Sequence, residues 1–196
     1  MSNNSQQAAQ PLQAFEHLFV VDLEATCSED GSIPREEMET IEFGAVLVHL
    51  PSLRTLREYS IFIRPRVHPV LTPFCLELTK ITQAQVDAGI RFEELGPRLA
   101  QDLAPYRLSL AWGSWGFYDR NQLERDAERW RVSSPLAGIP HFNLKTLFVG
   151  GRAKGYGILN ALRKVGLSFE GVHHLGIDDA NNIVRLLPEI LRKQAA

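Results

Sequence analysis

The apolar pattern is densest in the first third of the chain. His17 to Ala25 (HLFVVDLEA) is an apolar run interrupted only by two acids, and it predicts a strand. Thr40 to Leu50 and Thr55 to Arg64 predict two further strands. Only Pro51-Ser52 and its immediate neighbours separate them, a spacing short enough for a hairpin. A polar loop with Gly31 and Pro34 runs from Ser28 to Glu37, and Pro65, Pro69 and Pro73 break the chain before helical pieces. Apolar residues at 92, 95, 99 and 103 predict a helix over Phe92 to Leu103. Leu108 to Trp112 reads as a short buried strand and Tyr118 to Trp130 as a charged amphipathic helix. Leu144 to Phe148 and Ile158 to Val165 read as shorter helices, and Ile177 to Leu191 as one long terminal helix. Strands first, then helices alternating with a strand, predict an α/β sheet with an antiparallel portion. Residues 1–14 are polar and aperiodic and predict a disordered tail, leaving one domain over 15–196.

Composition narrows the classes. At 196 residues, 44% hydrophobic and 22% charged, the chain can bury roughly 70% of its unfolded surface without a disulfide or metal staple. No apolar run reaches the ~18 residues of a membrane-crossing helix, and the first residues lack the basic and apolar regions of a secretory signal. Two cysteines, Cys27 and Cys75, make no disulfide framework, so a reducing cytoplasm is the expected setting. A net charge of −2 excludes a protein that coats nucleic acid, so any such contact must be local.

The chemistry lies in three places. Along the first strand Val20, Asp22 and Glu24 share one face and Phe19, Val21 and Leu23 the other. Two carboxylates about 7 Å apart on a buried strand are costly unless a cation or hydrogen bonds stabilise them. A divalent metal with oxygen ligands is one solution; a solvated edge strand is the other. In the last helix, Ala180, Ile183, Val184, Leu187, Ile190 and Leu191 gather into one arc. Asp179 lies at the edge of that arc and Asp178 points away, suited to a solvated first turn. His173 and His174 precede it, and a loop histidine is the usual group for activating a water.

The third place is the stretch AWGSWGFYDRNQLERD, which ends a strand and opens a helix. Asp119 with Gln122 three residues on fits a helix-start capping pair. Trp112, Trp115, Phe117 and Tyr118 offer flat faces for a base, although Trp112 suits the core. Arg120, Lys145, Arg152 and Lys154 are candidate phosphate partners.

Taken in order, these features are Asp-x-Glu in VDLEATC, an Asp at a later helix start, and His-x4-Asp in HHLGIDDA. The set resembles the DEDDh 3′→5′ exonucleases. It is closest to their Eri1-like branch, whose further marks here are IEFGAVLV, LTPFCLELTKITQAQVD, FNLKTLF and GIDDANNIVRLL. Two departures stand out: Lys80 replaces a glycine common in relatives, and the middle motif reads SWGFYD where several relatives carry a tryptophan directly before the aspartate.

The resemblance implies a ribonuclease H-like α/β fold, with a mixed central sheet, its first three strands antiparallel, flanked by helices. It implies catalytic Asp22, Glu24, Asp119, His174 and Asp179. The four acids would bind two Mg2+ or Mn2+ ions about 4 Å apart, and the spacing selects His174 over His173 as base. Glu24, Ala25 and His174 would meet the terminal nucleotide, with Phe74 or Tyr118 stacking on its base. The implied partner is single-stranded nucleic acid with a free 3′ end, RNA favoured, and no membrane. The implied product is a nucleoside 5′-monophosphate. Two other readings accompany it: an exonuclease-like regulatory domain that binds protein, as in kinase-inhibitor-like relatives, and a ribonuclease H-type endonuclease. The first does not need all five catalytic residues, and the second does not need the histidine at this spacing.

Overall fold

Strand β1, His17–Ala25, sits at the centre of a five-stranded sheet because both of its faces are apolar enough to bury. Its antiparallel neighbour is β2, Thr40–His49, which in turn pairs antiparallel with β3, Arg54–Phe62. On the other side β1 pairs parallel with β4, Leu110–Ser114, and β4 pairs parallel with β5, His141–Asn143. The order is β3-β2-β1-β4-β5, a mixed sheet whose first three strands are antiparallel. The computed structural model describes residues 10–150 and 156–194.

Helices cover both faces. The helices are α1 Pro73–Thr79, α2 Gln83–Asp87, α3 Phe92–Leu103 and α4 Tyr118–Trp130, then α5 Leu144–Val149, α6 Ile158–Lys164, α7 Gly176–Val184 and α8 Leu187–Gln194. Phe19, Val21 and Leu23 pack with Leu95 and Leu99 of α3 and Leu123 of α4. Leu18 and Val20 face Leu144, Phe148, Ala161, Ile183 and Leu187 of α5 to α8. Each such side chain contributes about 1.5–3 kcal/mol on burial, so the strand tolerates two acids at its far end. Among the described residues no helix is long and apolar enough to cross a membrane.

Two glycines set how closely α7 approaches the sheet. Gly44 of β2 lies opposite Asp22, and a Cβ there would stand 2.1 Å from the Gly176 carbonyl carbon at the start of α7. A Cβ on Gly176 would stand 2.9 Å from the Asp22 carbonyl oxygen. Backbone against backbone leaves nothing flexible to yield. Gly44→Ala is therefore expected to destabilise the fold by about 3 kcal/mol, read as a shifted denaturation midpoint. An unchanged midpoint would show that α7 does not depend on this contact.

Several sequence expectations need correction. Leu12, assigned to the tail, is fully buried within a 3-10 turn over Leu12–Ala14, because it caps the apolar layer under α8. Residues 1–9 of that tail lie outside the described residues. The single terminal helix is two, since Pro188 lacks an N–H and its ring clashes with the preceding turn. The fourth strand begins at Leu110, two residues later than expected, and Leu108 is fully exposed. Strand β5 was not foreseen, for three residues carry no readable alternation. Lys80 takes a left-handed conformation (φ 61°) at the end of α1, the geometry that favours glycine.

Candidate active site

The pairing of β1 with β4 ends at Val20 and Gly113. Beyond it β1 continues beside β2 alone, so Asp22 to Ala25 border an opening at the point where the sheet switches from antiparallel to parallel. Ligands in open α/β sheets bind at such switch points. The freed backbone N–H of Leu23 must find another acceptor, and Asp119 Oδ1 supplies it at 3.0 Å. This bond is what draws the start of α4 over the strand end. Asp119 is therefore not half of a capping pair: it is the second residue of α4 and only 4% exposed. Gln122 instead bonds the Met38 carbonyl and Asp126.

Helix α7 closes the opening from the opposite face. Glu42, fully buried on β2 opposite Glu24, accepts from the Gly176 N–H at 2.8 Å and from the Ser60 hydroxyl at 2.8 Å. This clamp sets the helix start so that Asp179, 2% exposed, reaches the Asp22/Glu24 face. The acid in IEFGAVLV is a functional residue the sequence reading missed. Its signal was a carboxylate inside an otherwise apolar run. Asp178, expected to be solvated, accepts from the Val172 N–H at 2.7 Å and ties down the preceding loop.

Carboxylate oxygens of Asp22, Glu24 and Asp179 all lie within 4.8 Å of one another. Asp179 Oδ2 accepts from the His174 N–H at 2.7 Å, whereas its buried Oδ1 has no hydrogen-bond partner among the described residues. An orphaned buried oxygen beside two further carboxylates fits a divalent cation with oxygen ligands. Asp119 stands outside that triplet but lines the same cleft of about 540 Å³, together with Asp22, Glu24, Ala25, Tyr118, His174 and Asp179. Trp115, a candidate base-facing ring, and His173, passed over for His174, line it as well, together with Arg35 and Cys27, which the sequence did not assign to the site. Phe74 does not. It borders a neighbouring depression with Glu29, Glu77 and Lys80. Lys145 lies close enough to favour the charged form of Asp119, whereas Arg120 pairs with Glu124 and stacks over Phe117. Arg152 and Lys154 lie outside the described residues.

Burial and mutual repulsion raise the acids above the usual carboxylate range. Burial, followed by Asp119 and Asp179, pushes Asp22 well above the usual carboxylate range. Burial, followed by Asp179, raises Glu24 to about 9. Burial raises Asp179 to about 7 and Asp119 to about 6, the last moderated by the Leu23 N–H. Carboxyl pKa values raised on folding stabilise the metal-free protein at low pH, and that stability is lost as pH climbs through about 6, 7 and 9. A divalent cation binds the deprotonated set. The rise in melting temperature on adding Mn2+ against EDTA should thus be larger at pH 8 than at pH 6. Equal shifts at the two values would mean these carboxylates are not the ligands.

A mixed five-stranded sheet, helices on both faces and an acidic cluster at the switch point together define a ribonuclease H-like nuclease domain. The exonuclease family model matches residues 19–187, and the chain belongs to that family. Human ERI1 exoribonuclease 2 is 29% identical over 201 residues, which span 92% of this chain and 29% of that protein. The 3′-5′ exonuclease Snipper of Drosophila melanogaster is 30% identical over 208 residues, covering 94% of this chain and 72% of Snipper. The chain thus spans less than a third of the human relative. Among solved structures, the nuclease domain of 3′hExo, a DEDDh family member bound to rAMP, superposes with a TM-score of 0.82. It is 26% identical, and the match covers 91% of this chain and 92% of that one. A 3′-exonuclease in specific recognition of the histone mRNA stem-loop gives 0.81 at 25% identity, over 91% and 82% of the two chains.

Proposed function

We propose that the protein is a metal-dependent 3′→5′ exonuclease that removes nucleoside 5′-monophosphates from single-stranded 3′ ends, RNA in preference to DNA. The observation that carries this reading is the convergence of Asp22, Glu24 and Asp179 within 4.8 Å beneath His174. In this reading Asp22, Glu24 and Asp179 would hold one divalent ion, and Asp119 with Asp22 would hold a second. Bound Mg2+ or Mn2+ neutralises the carboxylates, activates water and stabilises the charge developing on the leaving 3′ oxygen.

The chain's own groups supply the rest. Burial and then His173 hold the His174 imidazole below its ordinary value, which keeps a ring nitrogen free at neutral pH to take the proton of the attacking water. The P–O3′ bond breaks as the new P–O bond forms. Glu24 and Ala25 meet the terminal nucleotide, and Tyr118, 37% exposed at the cleft edge, offers a ring for its base. Holding only the last few nucleotides lets a chain of net charge −2 handle a polyanion.

Digestion of 5′-labelled RNA and matched DNA oligonucleotides with Mg2+, Mn2+ or EDTA tests the reading. A ladder shrinking from the 3′ end, dependent on metal and faster on RNA, is expected. Cleavage of circular substrates, or no hydrolysis with either ion, would overturn it.

A further inference from the structure

We propose that His173, His174 and Asp179 form a second cation site, suited to a zinc-class transition metal and competing with the all-oxygen cluster for Asp179. One ligand atom from each of the three residues lies within 4.8 Å of the others. His173 Nε2 stands 3.7 Å from Asp179 Oδ1. That oxygen is buried and has no hydrogen-bond partner among the described residues, while its twin is fixed by the His174 N–H. The carboxylate is thus oriented with one oxygen free, and that oxygen faces an imidazole.

Adjacent residues of an extended chain project to opposite sides. Here His174 takes a left-handed conformation, φ 66°, and the turn sets both rings on the same side with centroids 3.9 Å apart. Phe169 supports the His173 ring edge-to-face at 5.3 Å. Two imidazoles and a carboxylate with room for water make the three-ligand, open-position set that zinc takes at 2.0–2.2 Å. Imidazole nitrogen favours zinc, nickel and copper, whereas Mg2+ keeps to oxygen and water. The donor set therefore separates the two classes of ion.

The consequence for activity rests on the exonuclease reading above. A zinc-class ion in this site occupies the lone pair of His174 and withdraws Asp179 from the oxygen cluster, so it inhibits hydrolysis. His173 then serves as a sensor of that ion.

Calorimetric titration of the metal-free chain with Zn2+, together with the visible spectrum of its Co2+ complex, tests the site without any nuclease assay. The wild type should bind Zn2+ and show the intense bands of low-coordinate cobalt. His173→Ala should weaken Zn2+ by at least about tenfold and lose those bands, while Mn2+ binding stays as in the wild type. Asp22→Asn, which dismantles the oxygen cluster, should keep Zn2+. His173→Asn serves as a second variant, and melting in EDTA checks that both fold. Zn2+ affinity unaltered in both His173 variants, or lost in Asp22→Asn, would place the ion in the oxygen cluster and overturn the proposal. In a Mn2+-supported assay, equimolar Zn2+ should slow the wild type; Zn2+ bound through His173 without inhibition would overturn the regulatory consequence. A chain that binds Zn2+ through His173 yet hydrolyses nothing under any condition would fail the exonuclease reading alone.

Discussion

Asp22→Ala and Asp179→Ala should each cut exonuclease turnover by about 10³-fold or more, because losing one carboxylate of the cluster forfeits several kcal/mol of charge stabilisation at the reacting phosphate. Both residues belong to the triplet whose oxygens lie within 4.8 Å, Asp22 contributed by β1 and Asp179 by α7. The same substitutions should not unfold the protein. In the absence of metal, Asp22 and Asp179 are held above the usual carboxylate range by burial and by neighbouring carboxylates. Removing either therefore relieves repulsion at pH 8, and the melting temperature in EDTA should stay level or rise. The stabilisation by Mn2+ should shrink in parallel with activity. Full activity in either purified variant would sink the assignment of the cluster as the metal site. A fall in melting temperature in EDTA would mean that the acids serve the fold rather than the reaction.

The second large effect concerns His174. Loss of a positioned general base costs about 10²–10⁴-fold, so His174→Ala should lose at least ~100-fold while still binding Mn2+ through the oxygen cluster. Two roles must be separated, since the His174 backbone also holds Asp179 Oδ2 and its φ of 66° is strained for alanine. Asparagine tolerates that conformation far better, so His174→Asn keeps the turn and removes the base. If the imidazole carries the proton, both variants lose activity to the same extent. Recovery in the asparagine variant would assign the loss to the backbone instead. The pH profile adds a further check. With its pKa held below the ordinary value by burial and by His173, the wild-type base is fully competent at neutral pH. Its contribution falls only as pH drops through that lowered value. The ratio of wild type to variant should therefore be constant from pH 7 to 8 and narrow in acid.

The elements carrying the site were largely legible along the chain. Tyr118–Trp130 and Phe92–Leu103 are helices over the residues their periodicity predicted. Phe19, Val21 and Leu23 turn to one core and Val20 to the other, as alternation requires. Choosing Asp179 over Asp178 needed only the 100° turn per residue. Where local pattern failed, a distant partner had intervened. Asp119 looked like a cap because its true partner, the Leu23 N–H, is 96 positions away and is freed only where β4 stops pairing.

Local periodicity, which depends on backbone geometry within a few residues, was enough by itself to determine the first three strands and helices α3 and α4, whereas the ordered acids and their histidine came from the resemblance to a nuclease family. What only the tertiary structure decided is which polar groups meet. It placed Glu42 under the start of α7, brought His173 against Asp179, and left Phe74 in the next depression. It also gave the two glycines their purpose, as the points where α7 rests directly on backbone. Those outcomes depend on strand register and on the packing of buried polar groups that must find partners, and neither is written in any one stretch of the chain.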